Sequence, residues 1–125
     1  MFFKDIVGQK DIKTKLIKSV ADDRIAHAQL LTGPDGTGKL ALALAYAQYI
    51  NCLNRTDTDS CGECPACRKV SRLIHPDLHF VFPVNASEDS KSIRVSDTFI
   101  EEWRSTFLAN PYMSESQWYL SLIHI

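Results

Sequence analysis

The sequence predicts an α/β domain: a parallel sheet with flanking helices, organised around a phosphate-gripping glycine loop and interrupted by a small cysteine module. Three observations predict it. The short apolar run at 28–32 reads as a buried strand. It leads directly into Gly33-Pro34-Asp35-Gly36-Thr37-Gly38-Lys39, and residues 38–51 then stay apolar on nearly every face, as a helix does when it packs between layers. Cys52, Cys61, Cys64 and Cys67 follow at metal-like spacing.

The remaining elements are read in chain order. Residues 10–22 place Ile12, Leu16, Ile17 and Val20 on one stripe among lysines, the pattern of an amphipathic helix. Residues 64–74 read as a helix that His75-Pro76 ends, because the residue before a proline is pushed out of helical geometry. Residues 79–82 read as a second strand and the polar residues 85–94 as a loop. Residues 96–109 put Phe99, Ile100, Trp103 and Phe107 on one helical face, with Ser96 or Thr98-x-x-Glu101 as the cap and Asn110-Pro111 as the stop. There is no internal repeat and no low-complexity tract.

The 125 residues suit one ordinary domain or part of a larger one. With 45% apolar and 23% charged residues, a packed core is expected and wholesale disorder is not. The net charge of −1 argues against a protein that coats DNA by bulk charge. No apolar run reaches membrane length and the first residues do not open a signal peptide, so a cytoplasmic protein without membrane contact is expected.

The loop carries the sharpest chemistry. Glycines let successive backbone N–H groups turn toward an anion, the following helix adds its positive end, and Lys39 neutralises outer phosphates. ATP or ADP is the expected ligand class; a plain glycine turn is the alternative. Hydrolysis needs magnesium, usually held by a hydroxyl just after the lysine and by an aspartate at a strand end. Leu40 stands at the hydroxyl position, which weakens magnesium binding, and Asp77 lies at the wrong end of its strand. No catalytic residue is therefore assigned.

The cysteines form Cys61-Gly62-Glu63-Cys64-Pro65-Ala66-Cys67, two C-x-x-C steps sharing Cys64, with Cys52 upstream. Four thiolates would close a tetrahedral structural zinc site; disulfides, which a reducing compartment disfavours, and free thiols are the alternatives. His75 and His79 read as ordinary surface or turn residues. Arg68, Lys69 and Arg72 allow a direct nucleic-acid contact beside the zinc, although a solvated helix face explains them as well.

Taken in order, Asp5-Ile6-Val7-Gly8-Gln9, Arg24-Ile25-Ala26-His27-Ala28, the loop at 33–39, Asn51-Cys52 and the cysteine run resemble the N-terminal AAA+ domain of bacterial clamp-loader subunits. The likeness covers residues 5–84. Leu40 and His75-Pro76-Asp77-Leu78-His79 are more similar to the delta prime type of DNA polymerase III than to the gamma/tau motor type, which normally has Lys-Thr at the loop. The resemblance implies a stator within a hetero-pentamer of gamma/tau and delta subunits that places a sliding clamp on primed DNA. It implies nucleotide at 33–39 with adenine beside Val7 and Gly8, zinc on Cys52, Cys61, Cys64 and Cys67 in a module at 52–67, and doubtful ATP turnover. An ATP-hydrolysing gamma/tau-type motor is the alternative.

The Ser-Arg-Cys motif that carries the family's arginine finger does not occur here, nor does an acidic strand end. Residues 120–125 read Leu-Ser-Leu-Ile-His-Ile, the translation of a common transposase adapter end. The expected domain is therefore 1–119, with 120–125 as a scar; a genuine strand over 119–123 is the alternative. A sheet cut after its first strands would leave open edges, so marginal stability is expected of such a piece.

Overall fold

The computed structural model describes residues 1–84 and 96–123, with Ile123 described by its backbone alone. Five α-helices carry the described residues: α1 (Lys10–Ala21), α2 (Lys39–Asn51), α3 (Pro65–Ser71), α4 (Ile100–Ala109) and α5 (Glu115–Ile123). Single 3₁₀ turns cover Phe3–Asp5 and Ser96–Phe99.

The apolar stripe of α1 buries Leu16 and Val20 against α2. The helix closes with Asp23 in left-handed geometry at φ 54°, so that the Asp23 and Arg24 amides bond back to the Val20 and Ser19 carbonyls at 3.1 and 2.8 Å. Apolar on all sides, α2 serves two cores at once. Ala41, Leu42, Ala45 and Tyr49 pack with Phe3, Ile6, Leu16 and Val20, while Leu44 joins Val70, Leu73, Phe82, Trp103, Phe107 and Trp118. An amphipathic helix could not do both.

The α3 helix is shorter than its sequence pattern. Cys64 caps it, its sulfur accepting the Cys67 amide, and Pro65 occupies the first turn, where its missing N–H costs nothing. It ends at Ser71, four residues before His75-Pro76, because Leu73 turns left-handed at φ 60°. The Leu73 and Ile74 amides then satisfy the Val70 and Lys69 carbonyls, both at 2.9 Å, and Arg104 of α4 takes the Leu73 carbonyl at 2.9 Å. Burial of the Leu73 side chain, wholly inaccessible, outweighs a backbone penalty of about 1–2 kcal/mol.

The two expected strands are not formed among the described residues. Residues 28–30 are exposed, Leu30 at 86%, instead of buried. Over 80–84 the period-two pattern is present: Phe82 is buried, Val81 is 93% exposed, and Phe80 and Val84 are half-buried. A strand is defined by the neighbour that takes its backbone groups, and neither segment has one among the described residues. Ser96 substitutes locally. Its hydroxyl accepts from the Phe82 amide at 3.0 Å and donates to the Phe82 carbonyl at 2.8 Å. Ser96 is thereby taken from the capping role expected of it, and α4 starts after Phe99 with no side-chain cap.

Asn110-Pro111 does end α4, with Asn110 extended at φ −146°. The 119–123 segment is the end of helix α5, not a strand. The expected loop at 85–94 lies outside the described residues.

Candidate phosphate cleft and metal centre

The glycine loop runs into α2 as its motif requires. Gly38 is the residue before the helix and takes φ 86°, and Gly36 takes φ 79°, both left-handed. Gly38 is constrained twice, because a Cβ there would also lie 2.7 Å from the ring of Tyr112. The Thr37 hydroxyl donates to the Pro34 carbonyl at 2.8 Å, pinning the turn. The Lys39 ammonium bonds to the Gly33 carbonyl, so it lies folded across the loop.

A cleft of about 380 Å³ opens beside this loop, lined by Gln9, Ile12, 30–34, 37–39 and Leu42. It joins Gly33, Pro34, Thr37, Gly38 and Lys39 to the N-terminal segment through Gln9, the neighbour of the expected Gly8. Asp35 and Gly36 face a second hollow of about 230 Å³, shared with Leu40 and with Tyr112, Met113 and Glu115. Gly8 turns at φ 70°, while Val7 is 86% exposed and its amide donates to the Tyr112 hydroxyl at 3.2 Å. Sequence reasoning missed Tyr112 entirely. It stands 105 residues from Val7, and no local pattern announces such a contact.

The four cysteines converge. Their sulfurs lie within 4.8 Å of one another, with Cys52, Cys64 and Cys67 buried and Cys61 half-buried. Cys61 and Cys67 are 3.9 Å apart, far beyond a disulfide bond of about 2.05 Å. A sulfur shell at about 2.3 Å from a tetrahedral ion has edges of about 3.8 Å, so this set fits zinc. Backbone amides orient the sulfurs: Cys61 N–H points to Cys52 Sγ at 3.3 Å, Cys64 N–H to Cys61 Sγ at 3.3 Å, and Cys67 N–H to Cys64 Sγ at 3.4 Å.

Other backbone amides and burial split the thiols electrostatically. The Leu53 amide, with further hydrogen bonds, pulls Cys64 down to about 6, and the Glu63 amide lowers Cys61. Burial pushes Cys67 up to about 12. Four thiolates this close need a cation to coexist, and a bound divalent ion supplies that charge.

Arg68 and Lys69 of α3 and Arg72 just after it are exposed. His75 is a turn residue, its Nδ1 accepting the Asp77 amide at 3.1 Å. No described helix is long and apolar enough to cross a membrane.

A family model described as DNA polymerase III, delta subunit, matches residues 8–123. The chain belongs to this family. Three relatives show how the likeness is distributed within DNA polymerase III. The delta' subunit of Bacillus subtilis is 39% identical over 60% of this chain and 22% of its own length. The tau/gamma subunit of Haemophilus influenzae is 37% identical over 61% of the chain and 11% of its own. The gamma subunit of Buchnera aphidicola is 38% identical over 62% and 21%. The chain thus spans about a fifth or less of these relatives, which are spread across the delta', gamma and tau/gamma subunits of DNA polymerase III. No solved structure matches.

Proposed function

We propose that the chain supplies the nucleotide-gripping portion of a delta prime-type clamp-loader subunit, which binds ATP or ADP without turning it over. The observation that carries this reading is the loop itself: a left-handed Gly38 launching α2, Lys39 across the loop, and Leu40 where a magnesium-binding hydroxyl belongs.

In this reading the amides of 36–39 and the positive end of α2 receive phosphate oxygens. Lys39 leaves the Gly33 carbonyl for the outer phosphates, exchanging a neutral acceptor for a charged one. Val7, Gly8 and Gln9 stand at the base. Zinc on Cys52, Cys61, Cys64 and Cys67 is structural, closed to water and substrate. The segments at 28–32 and 79–82 become strands of an AAA+ parallel sheet once further strands pair with them. The partners are gamma/tau and delta subunits, and through them a sliding clamp and primed DNA.

Calorimetric titration with ATP and ADP, run beside a phosphate-release assay, tests the reading. Nucleotide should bind without turnover, and Lys39→Ala should weaken binding about 10- to 100-fold through loss of a charged hydrogen bond. Equal binding by wild type and Lys39→Ala would remove the loop from the ligand's contacts. The second reading, an ATP-hydrolysing gamma/tau-type motor, is favoured by the comparable identity to gamma and tau/gamma relatives. Magnesium-dependent phosphate release would decide for it.

A further inference from the structure

The N-terminal segment that reaches the cleft at Gln9 is held at its other end by the cysteine loop. Asp59, two residues before Cys61, accepts the Phe3 amide on Oδ1 at 3.1 Å and the Lys4 amide on Oδ2 at 3.2 Å, while the Ser60 amide also reaches Oδ1 at 2.9 Å. One carboxylate therefore clasps two successive amides 55 and 56 residues away in sequence. The Phe2 ring lies against Gly62, between Cys61 and Cys64, so closely that a Cβ there would overlap it.

Two more ties run the same way. Gln48, a fully buried amide within the apolar helix α2, donates to the Ser60 hydroxyl at 2.9 Å and accepts from the Met1 nitrogen at 2.9 Å. Tyr49 packs edge-on against Phe3 at 5.7 Å and donates to the Thr56 carbonyl at 2.8 Å. From Phe3 the chain needs only six residues to reach Gln9 in the cleft, passing the buried Ile6, whose carbonyl accepts from the Lys13 ammonium.

We propose that the cysteine loop anchors the segment leading to Gln9 in the phosphate cleft, with Asp59 as the tie, so that metal loss at the four thiols frees residues 2–6 and weakens ligand binding at Gly33–Lys39. The second half rests on the nucleotide reading above; the first half does not. Physically, a bound ion closes the loop at 53–60 between Cys52 and Cys61 and thereby holds the Asp59 carboxylate in place. Without that closure, ordering the loop falls to the few contacts just named. Asp59 acts through the segment and is a positioning residue.

Amide hydrogen exchange on the full chain, read with zinc content by dye release and with ATP titration, tests this. In Asp59→Ala at saturating zinc, metal content should stay whole and exchange at Phe3 and Lys4 should quicken about tenfold, with α4 unchanged. Asp59→Asn keeps one carbonyl acceptor and should free only one of the two amides. Chelating the zinc should reproduce the loss of protection at 2–6 and weaken ATP about fivefold or more.

Unchanged exchange at Phe3 and Lys4 in Asp59→Ala overturns the proposal, as does chelation that leaves 2–6 protected. Faster exchange at 2–6 with no ATP binding in any state supports the anchor and removes the nucleotide reading instead. ATP binding that ignores both Asp59→Ala and chelation overturns the coupling between the two sites.

Discussion

At Gly38 two independent constraints meet in one residue: a left-handed backbone at φ 86° and the Tyr112 ring where a side chain would stand. Gly38→Ala should therefore destabilise the chain by about 1–3 kcal/mol, read as a lower thermal midpoint. The Cys67 thiol is the one that burial keeps protonated most strongly, so it depends most on a cation for its ionised form. Cys67→Ser should abolish stoichiometric zinc, measured by metal analysis, since a hydroxyl replaces a soft donor in a closed shell. The candidate site residues stand out in the sequence at this scale because glycine, lysine and cysteine carry their chemistry in the residue type. Tyr112 and Asp59 do not. Tyrosine and aspartate are common surface residues, and only their long-range partners give them a role.

Among the elements, α1 and α2 match their sequence patterns to within a residue, because apolar periodicity and a glycine loop act locally. Helix α3 does not, because Leu73 adopts a backbone that its propensity opposes in order to reach the core. The two left-handed helix ends consequently respond oppositely to glycine. Asp23→Gly, at an exposed site with φ 54°, should stabilise by about 0.5–1 kcal/mol. Leu73→Gly relieves the same backbone cost but removes a buried side chain, and should destabilise by about 2–4 kcal/mol. Denaturant titration of both variants separates the two signs. At 80–84 the alternation was legible and the ladder was not, because pairing depends on a neighbouring segment that no local pattern contains.

For the whole molecule, α2 is the element that joins two apolar cores and the cysteine cluster. The second core rests on a stack in which Trp103 lies between Phe82 and Phe107, parallel at 5.1 and 5.2 Å, with Trp118 edge-on to Phe82 and donating to the Pro83 carbonyl at 2.7 Å. Phe107→Ala should cost about 3–5 kcal/mol, visible as a large drop in thermal midpoint, since it strips the end of that stack. Chelation of metal from the cysteines should lower the same transition, because ion binding to the folded loop is folding free energy.

By itself the sequence determined the residues on offer: a glycine loop with Lys39 and then Leu40, four thiols at ligand spacing, and the helices that follow local periodicity. Only the tertiary structure decided where α3 stops, that 28–32 and 80–84 stand unpaired among the described residues, and that Asp59 and Tyr112 bind segments far away in sequence. The physical reason is range: residue type and periodicity act within a few positions, whereas hydrogen-bond partners and buried contacts exist only once distant segments meet.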